Sequence, residues 1–105
     1  MAEFVTTTGQ DSAPVLAVSG DLDISGVDPF LSYADRLLNT GTRVIDVDLG
    51  GVTFVDSSGL GALVRLQRRA DADGRRLRLA NVPRSVARVL DLTGLTELFE
   101  ERPED

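Results

Sequence analysis

The stretch from Arg43 to Gly61 constrains this chain more than any other. Its first half, R-V-I-D-V-D-L, alternates, with Val44, Asp46 and Asp48 on one side and Ile45, Val47 and Leu49 on the other. That is the period of a β-strand, and one slipped residue would exchange its faces. After Gly50-Gly51 the chain continues V-T-F-V-D-S-S-G-L-G, and from Ser57 or Ser58 onward Leu60, Leu63, Val64, Gln67 and Ala70 recur at helical spacing. A strand therefore feeds straight into an amphipathic helix, and the hydroxyls of Ser57 and Ser58 fall at the helix start. Backbone N–H groups there lack intrahelical partners, and the helix dipole presents its positive end. Two uses of a serine fit that place. It caps the helix, or it carries a phosphate.

The rest of the chain reads around this junction. Phe4–Thr8 and Val15–Val18 are short β-branched or apolar runs joined by the turn-rich segment G-Q-D-S-A-P, which predicts a hairpin, and Gly20-Asp21-Leu22-Asp23 ends its second strand. Ser25 or Asp28 is expected to cap a first helix, with Pro29 early inside it and Phe30, Ala34, Leu37 and Leu38 as its apolar stripe. Gly74 is expected to close the helix that starts at the serines, in a left-handed conformation. Arg76–Ala80 reads as a strand with Leu77 and Leu79 inward. Pro83 introduces a third helix carrying Val86, Val89 and Leu90, which Gly94 ends; Leu95–Phe99 reads as a last short apolar segment. The order β-β-α-β-α-β-α predicts an α/β fold with helices packed on a mixed sheet of four to five strands. At 105 residues the expectation is one domain over 1–105, with a tail frayed from about residue 100.

What is missing narrows the chemistry. The chain has no cysteine and no histidine. Thiolate chemistry, disulfides, the commonest general base and the commonest transition-metal ligand all disappear together. A Ser-His-Asp hydrolase cannot be assembled from these residues. An enzyme using Ser57 as nucleophile finds no Lys or His to activate it, so no catalytic residue and no cofactor are expected. Gly59 and Gly61 fit neither a P-loop nor a dinucleotide fingerprint, and close backbone packing is the better reading of both. Asp21, Asp23 and Asp56 on loops are expected to be solvated, with no metal bound.

Charge narrows the partners. The net charge of −6 disfavours nucleic acid, which needs a basic face. The imbalance lies in residues 1–56, where nine acids face two arginines; residues 57–105 hold eight acids and nine arginines. Arg65, Arg68 and Arg69 fall on the outward side of the second helix, where a solvated face and a contact with an acidic partner both fit. No apolar run reaches the roughly 20 residues that cross a bilayer, so no membrane partner is expected. The segment M-A-E-F-V-T-T-T has no basic region followed by an apolar stretch, so a cytoplasmic protein is expected, monomeric when free.

Gly20-Asp21-Leu22-Asp23, the strand V-I-D-V-D-L-G-G-V, Phe54-Val55-Asp56-Ser57-Ser58-Gly59-Leu60-Gly61 and Leu92-Thr93-Gly94-Leu95 together resemble the STAS domain, from about Val5 to Phe99. The closest subset is similar to the stand-alone bacterial anti-sigma factor antagonists. The resemblance implies a partner-switching regulator of transcription. Its unmodified form binds an anti-sigma factor that is itself a serine kinase, releasing the sigma factor. Phosphorylation of the first hydroxyl residue after the Asp abolishes binding, and a serine phosphatase resets it. Carried onto this sequence, the acceptor is Ser57, with Ser58 the less favoured hydroxyl and Asp56 the flanking acid. The implied partner surface comprises Asp23, Asp56, Ser57, Ser58, Gly59, Leu60 and Arg65. The chain departs from the family after Asp23, where a Thr-Ala helix start is usual and Ile24-Ser25-Gly26-Val27-Asp28-Pro29 stands here, which bears on the first helix and on partner choice. A non-switching STAS subunit of a larger assembly, such as a stressosome-like scaffold or a lipid-transport complex, is the alternative.

Overall fold

A computed structural model describes residues 2–9 and 13–103. The strands β1 (Glu3–Thr8) and β2 (Pro14–Leu22) form the expected antiparallel hairpin, with the Gly9 amide donating to the Ala13 carbonyl at 2.8 Å. Residues 10–12 of the expected turn lie outside the described residues. Helix α1 (Ile24–Leu38) follows, then β3 (Val44–Val55), α2 (Ser57–Ala72), β4 (Arg76–Ala80), α3 (Arg84–Leu92), a 3₁₀ turn over Thr96–Leu98 and β5 (Glu100–Glu101). The sheet order is β1-β2-β3-β4-β5, antiparallel only between β1 and β2. Each parallel neighbour is reached through a helix, and right-handed crossovers between adjacent strands set all three helices on one face. The mixed α/β sheet is as expected. The segment from residue 100 differs, because Glu100 and Glu101 pair with Arg78 and Leu79 and the Arg102 amide reaches the Leu79 carbonyl at 2.8 Å.

The core lies between the sheet and the helices. Leu16, Val18 and Leu22 of β2, Ile45, Val47 and Leu49 of β3, and Leu77 and Leu79 of β4 meet Phe30 and Ala34 of α1, Leu63 and Leu66 of α2, and Val86 and Leu90 of α3. Leu66 belongs to the buried stripe of α2, whereas Val64 is only half-buried. Phe4 of β1 stacks on Tyr33 at 5.5 Å and meets Phe30 at 6.1 Å, which ties the edge strand to α1. The apolar area removed from water at these positions, at roughly 25 cal/mol per Å², is the main force holding the layers together.

Two departures from regular pairing shape the end of β3. Between Ala17 and Ser19, and again between Gly20 and Asp21, β3 carries one residue more than β2. Each β-bulge reverses the side-chain phase. The core-facing series therefore runs Ile45, Val47, Leu49, then Val52, then Val55, and Phe54 turns away from the core with 52% of its surface exposed.

The uncovered face of the sheet holds a charged pair that alternation alone reads as solvated. Asp46 is fully buried; Arg78, directly opposite on β4, grips it with Nε–Oδ1 at 2.7 Å and a terminal nitrogen to Oδ2 at 2.9 Å. Arg102 adds a third charge, Nε to Asp46 Oδ2 at 3.7 Å.

Candidate functional site: two capped helix starts on one rim

Leu22 and Val55 are cross-strand partners at the carboxyl ends of β2 and β3. One residue beyond each stands an aspartate, Asp23 and Asp56, with extended backbone angles, and each caps the helix that follows. Two helix N-termini are thereby set side by side on one rim. Asp56 Oδ1 accepts the Gly59 amide at 3.0 Å, while its carbonyl accepts the first intrahelical bond, from Leu60, at 3.0 Å. Asp23 Oδ1 accepts both the Ser25 amide at 3.1 Å and the Ser25 hydroxyl at 2.6 Å. That hydroxyl bond holds the Asp23 carboxyl below the usual carboxylate range.

The cap of α1 is thus Asp23, rather than Ser25 or Asp28, and the helix starts at Ile24. Ser25 sits in the first turn as the donor to the cap, and Pro29 lies a full turn inside. A short carboxylate one residue before the helix reaches the free amides better than a residue already within the turn.

The same logic answers the question posed by the serines. Asp56, not Ser57 or Ser58, satisfies the amide at the start of α2. Neither serine hydroxyl has a hydrogen-bond partner among the described residues, and Ser57 is exposed while Ser58 is half-buried. Ser57 is the first residue of the helix and points its hydroxyl to water where N–H groups and the helix dipole favour an incoming anion. The neighbouring Asp56 spends one carboxylate oxygen on the Gly59 amide.

Gly59 has a mechanical role. A Cβ there would lie 2.1 Å from the Leu22 carbonyl oxygen and 2.8 Å from Val55 Cγ2, so the first turn of α2 rests directly on the end of β2. Gly61, read from the sequence as equally close-packed, has nothing within 4 Å of its Cβ direction. Two residues expected on the partner surface are also displaced from it. Gly59 is covered by Leu22, and Leu60 is only 7% exposed with its side chain in the core, because the helical phase set by the Asp56 cap turns positions 59 and 60 inward. Asp23, Asp56, Ser57 and Ser58 do share the rim. Arg65 is exposed two turns along α2, beside Arg68, Arg69 and Leu31, and Arg69 pairs with Asp35 across the helices.

Asp21 lies on the same rim, accepting the Thr53 hydroxyl at 3.0 Å. With Asp23 and Asp56 already bonded, no group of three or more metal-binding side chains comes together among the described residues. No described helix is long and apolar enough to cross a membrane. What sequence reasoning missed here is apolar: Ile24 is 73% exposed and Phe54 52% exposed, both at this end of the molecule. Only the departure after Asp23 hinted at the first, and nothing local announced the second.

Comparison with known proteins bears on the family and the fold. The family model described as "Mlab, STAS domain" matches residues 5–100. The chain is 31% identical over 95 residues to the anti-sigma-B factor antagonist of Staphylococcus aureus (strain NCTC 8325 / PS 47), covering 90% of this chain and 88% of that protein. An anti-sigma factor antagonist from Mycobacterium paratuberculosis superposes with a TM-score of 0.83 at 20% identity, covering 99% of this chain and 87% of the other. The Bacillus cell fate determinant SpoIIAA in its phosphorylated form gives a TM-score of 0.72 at 22% identity, covering 97% and 93%. The last two establish the likeness of fold, and the match over residues 5–100 establishes the family: this chain belongs to the STAS domain proteins.

Proposed function

We infer that this chain is an anti-sigma factor antagonist, a regulatory binding module without catalysis of its own, switched by phosphorylation of Ser57. The unmodified rim docks an anti-sigma factor with serine kinase activity in the cytoplasm, which frees the sigma factor; the kinase modifies Ser57, and a serine phosphatase restores it. The observation that carries this reading is the exposed, unbonded Ser57 hydroxyl on a helix start that another residue already caps. The 31% identity to an anti-sigma-B factor antagonist supports the partner class.

The physics of the switch is local. Docking over the rim buries a small neutral hydroxyl at little cost. A phosphate brings a charge of about −1.5 to −2 at neutral pH. The α2 dipole stabilises it by about 0.3–1 kcal/mol in the free chain, whereas Asp21, Asp23 and Asp56 oppose it. Covering that charge with a surface that offers no matching cation costs several kcal/mol. A loss of about 4 kcal/mol weakens binding roughly a thousandfold. The domain itself need not refold.

The test is to incubate the chain with the anti-sigma factor kinase and ATP and to map the phosphate by mass spectrometry. Label on Ser57 is expected; label elsewhere, or none, overturns the reading. By titration calorimetry, Ser57→Ala should keep the kinase bound and Ser57→Glu should release it. A second reading, resting on the STAS family match alone, leaves the serine silent and packs the domain into a larger assembly such as a lipid-transport complex or stressosome-like scaffold. Co-purification with membrane transporter subunits and no label at Ser57 would support that instead.

A further inference from the structure

Five large apolar side chains stand exposed among the described residues: Val5, Ile24, Phe54, Leu92 and Leu98. A lone exposed apolar residue is ordinary; a set that converges on a functional rim is not. Ile24 and Phe54 both stand at the end of the sheet that carries Ser57. Ile24 is the first residue of α1, next to Asp23, and Phe54 pairs across the sheet with Asp21 two residues before Asp56. The first turn of α2, with Ser57 in it, rests on Leu22, two residues before Ile24. Neither residue serves the fold: Ile24 is 73% exposed, and the second bulge in β3 turns Phe54 away from the core. Leu92, by contrast, ends α3 at the opposite edge, where the parallel strands begin.

We propose that Ile24 and Phe54 are the apolar anchors that seat the anti-sigma factor on the Ser57 rim, and that Ile24 selects partners offering an apolar depression at that point. This rests on the function inferred above. The charge around the pair chooses the occupant. Asp21, Asp23 and Asp56 edge the rim, so a second copy would bring like charges face to face, and an anionic membrane or nucleic acid would be repelled. A different protein with an apolar contact surface is what fits. The anchors also sharpen the switch. Apolar contact excludes water around the Ser57 hydroxyl, and a phosphate placed there loses its hydration without replacement. A wetter interface would tolerate the phosphate better, and so discriminate less.

The probe is the purified kinase that phosphorylates the wild-type chain. Ile24→Thr keeps a β-branched side chain and Phe54→Thr puts a strand-compatible one in place of the ring, each making its site polar, and Leu92→Gln is the distant control. Each anchor variant should bind the kinase about tenfold more weakly at an unchanged melting temperature, with the control unaltered. The ratio of affinities between Ser57 and Ser57→Glu should shrink at least tenfold in the Ile24→Thr/Phe54→Thr background. Wild-type binding with both anchor variants equal to it overturns this proposal and leaves the inferred function standing. An unchanged Ser57 to Ser57→Glu ratio, or equal weakening by Leu92→Gln, also overturns it. A free-chain dimer in sedimentation that the anchor variants abolish would assign the pair to a second copy instead. If no kinase binds or modifies the wild-type chain, the inferred function fails first and this proposal with it.

Discussion

Gly59 and the carbonyl of Leu22 approach so closely that a methyl group on Gly59 would stand 2.1 Å from the Leu22 oxygen. The Ser57 turn is therefore locked against the end of β2, which also leads into Asp23, and the two capped helix starts form one rigid rim. This packing and the Asp56 cap together fix the first turn of α2, and with it the place of Ser57.

Gly59→Ala should accordingly destabilise the chain by about 3 kcal/mol, since backbone rather than a flexible side chain must yield. Gly61→Ala, two residues along the same helix and facing open space, should stabilise it by about 1 kcal/mol through helix propensity. Urea unfolding with unchanged m-values checks both. Equal effects of the two substitutions would contradict the packing described here.

Arg78 and Asp46 are linked by two hydrogen bonds in a buried setting. Arg78→Ala takes both bonds from the buried Asp46 carboxyl group, leaving it the more distant Arg102 and Arg76, and should cost about 4 kcal/mol. The double variant Asp46→Leu/Arg78→Met removes both charges together and should cost much less than the single change. Chemical denaturation of the double-mutant cycle reads the coupling; additive effects would show that the pair is not a unit.

Acid should loosen the chain in a defined direction. The Ser25 hydroxyl lowers the Asp23 pKa, and the hydrogen bond from Arg76 lowers that of Glu100. A carboxyl whose folded pKa lies below its unfolded value contributes stability that is complete above the unfolded value, about 4 for these groups, and lost as pH falls through the folded value. These two groups therefore leave stability flat between neutrality and about pH 5 and subtract from it below about pH 4. Urea midpoints measured from pH 7 to pH 2.5 should follow that curve, and Ser25→Ala should shallow its acid limb. A limb unchanged by Ser25→Ala would remove Asp23 from the account.

Much of this protein is written in local pattern. The alternation of Val44–Leu49, the helical spacing of Leu60, Leu63 and Ala70, and the glycine at position 74, which adopts a φ of +71°, are each settled within a few residues of chain. Periodicity and turn chemistry act at that range, so the strand-to-helix junction and the place of Ser57 on it could be read directly. Other features depend on residues more than about twenty positions apart, and no local signal carries them. Asp46 looks solvated until β4 sets Arg78 opposite it, and β5 exists only because the β4 edge is there to pair with. Strict alternation from Val52 would put Phe54 in the core; the bulge against β2 puts Val55 there instead and turns Phe54 outward. The sequence alone determined the elements and the exposed serine's neighbourhood, because backbone propensity and side-chain period are local. Only the tertiary structure decided that Gly59 seats on Leu22 and that Phe54 faces outward at the serine's rim, because cross-strand register is set by the packing of the whole sheet.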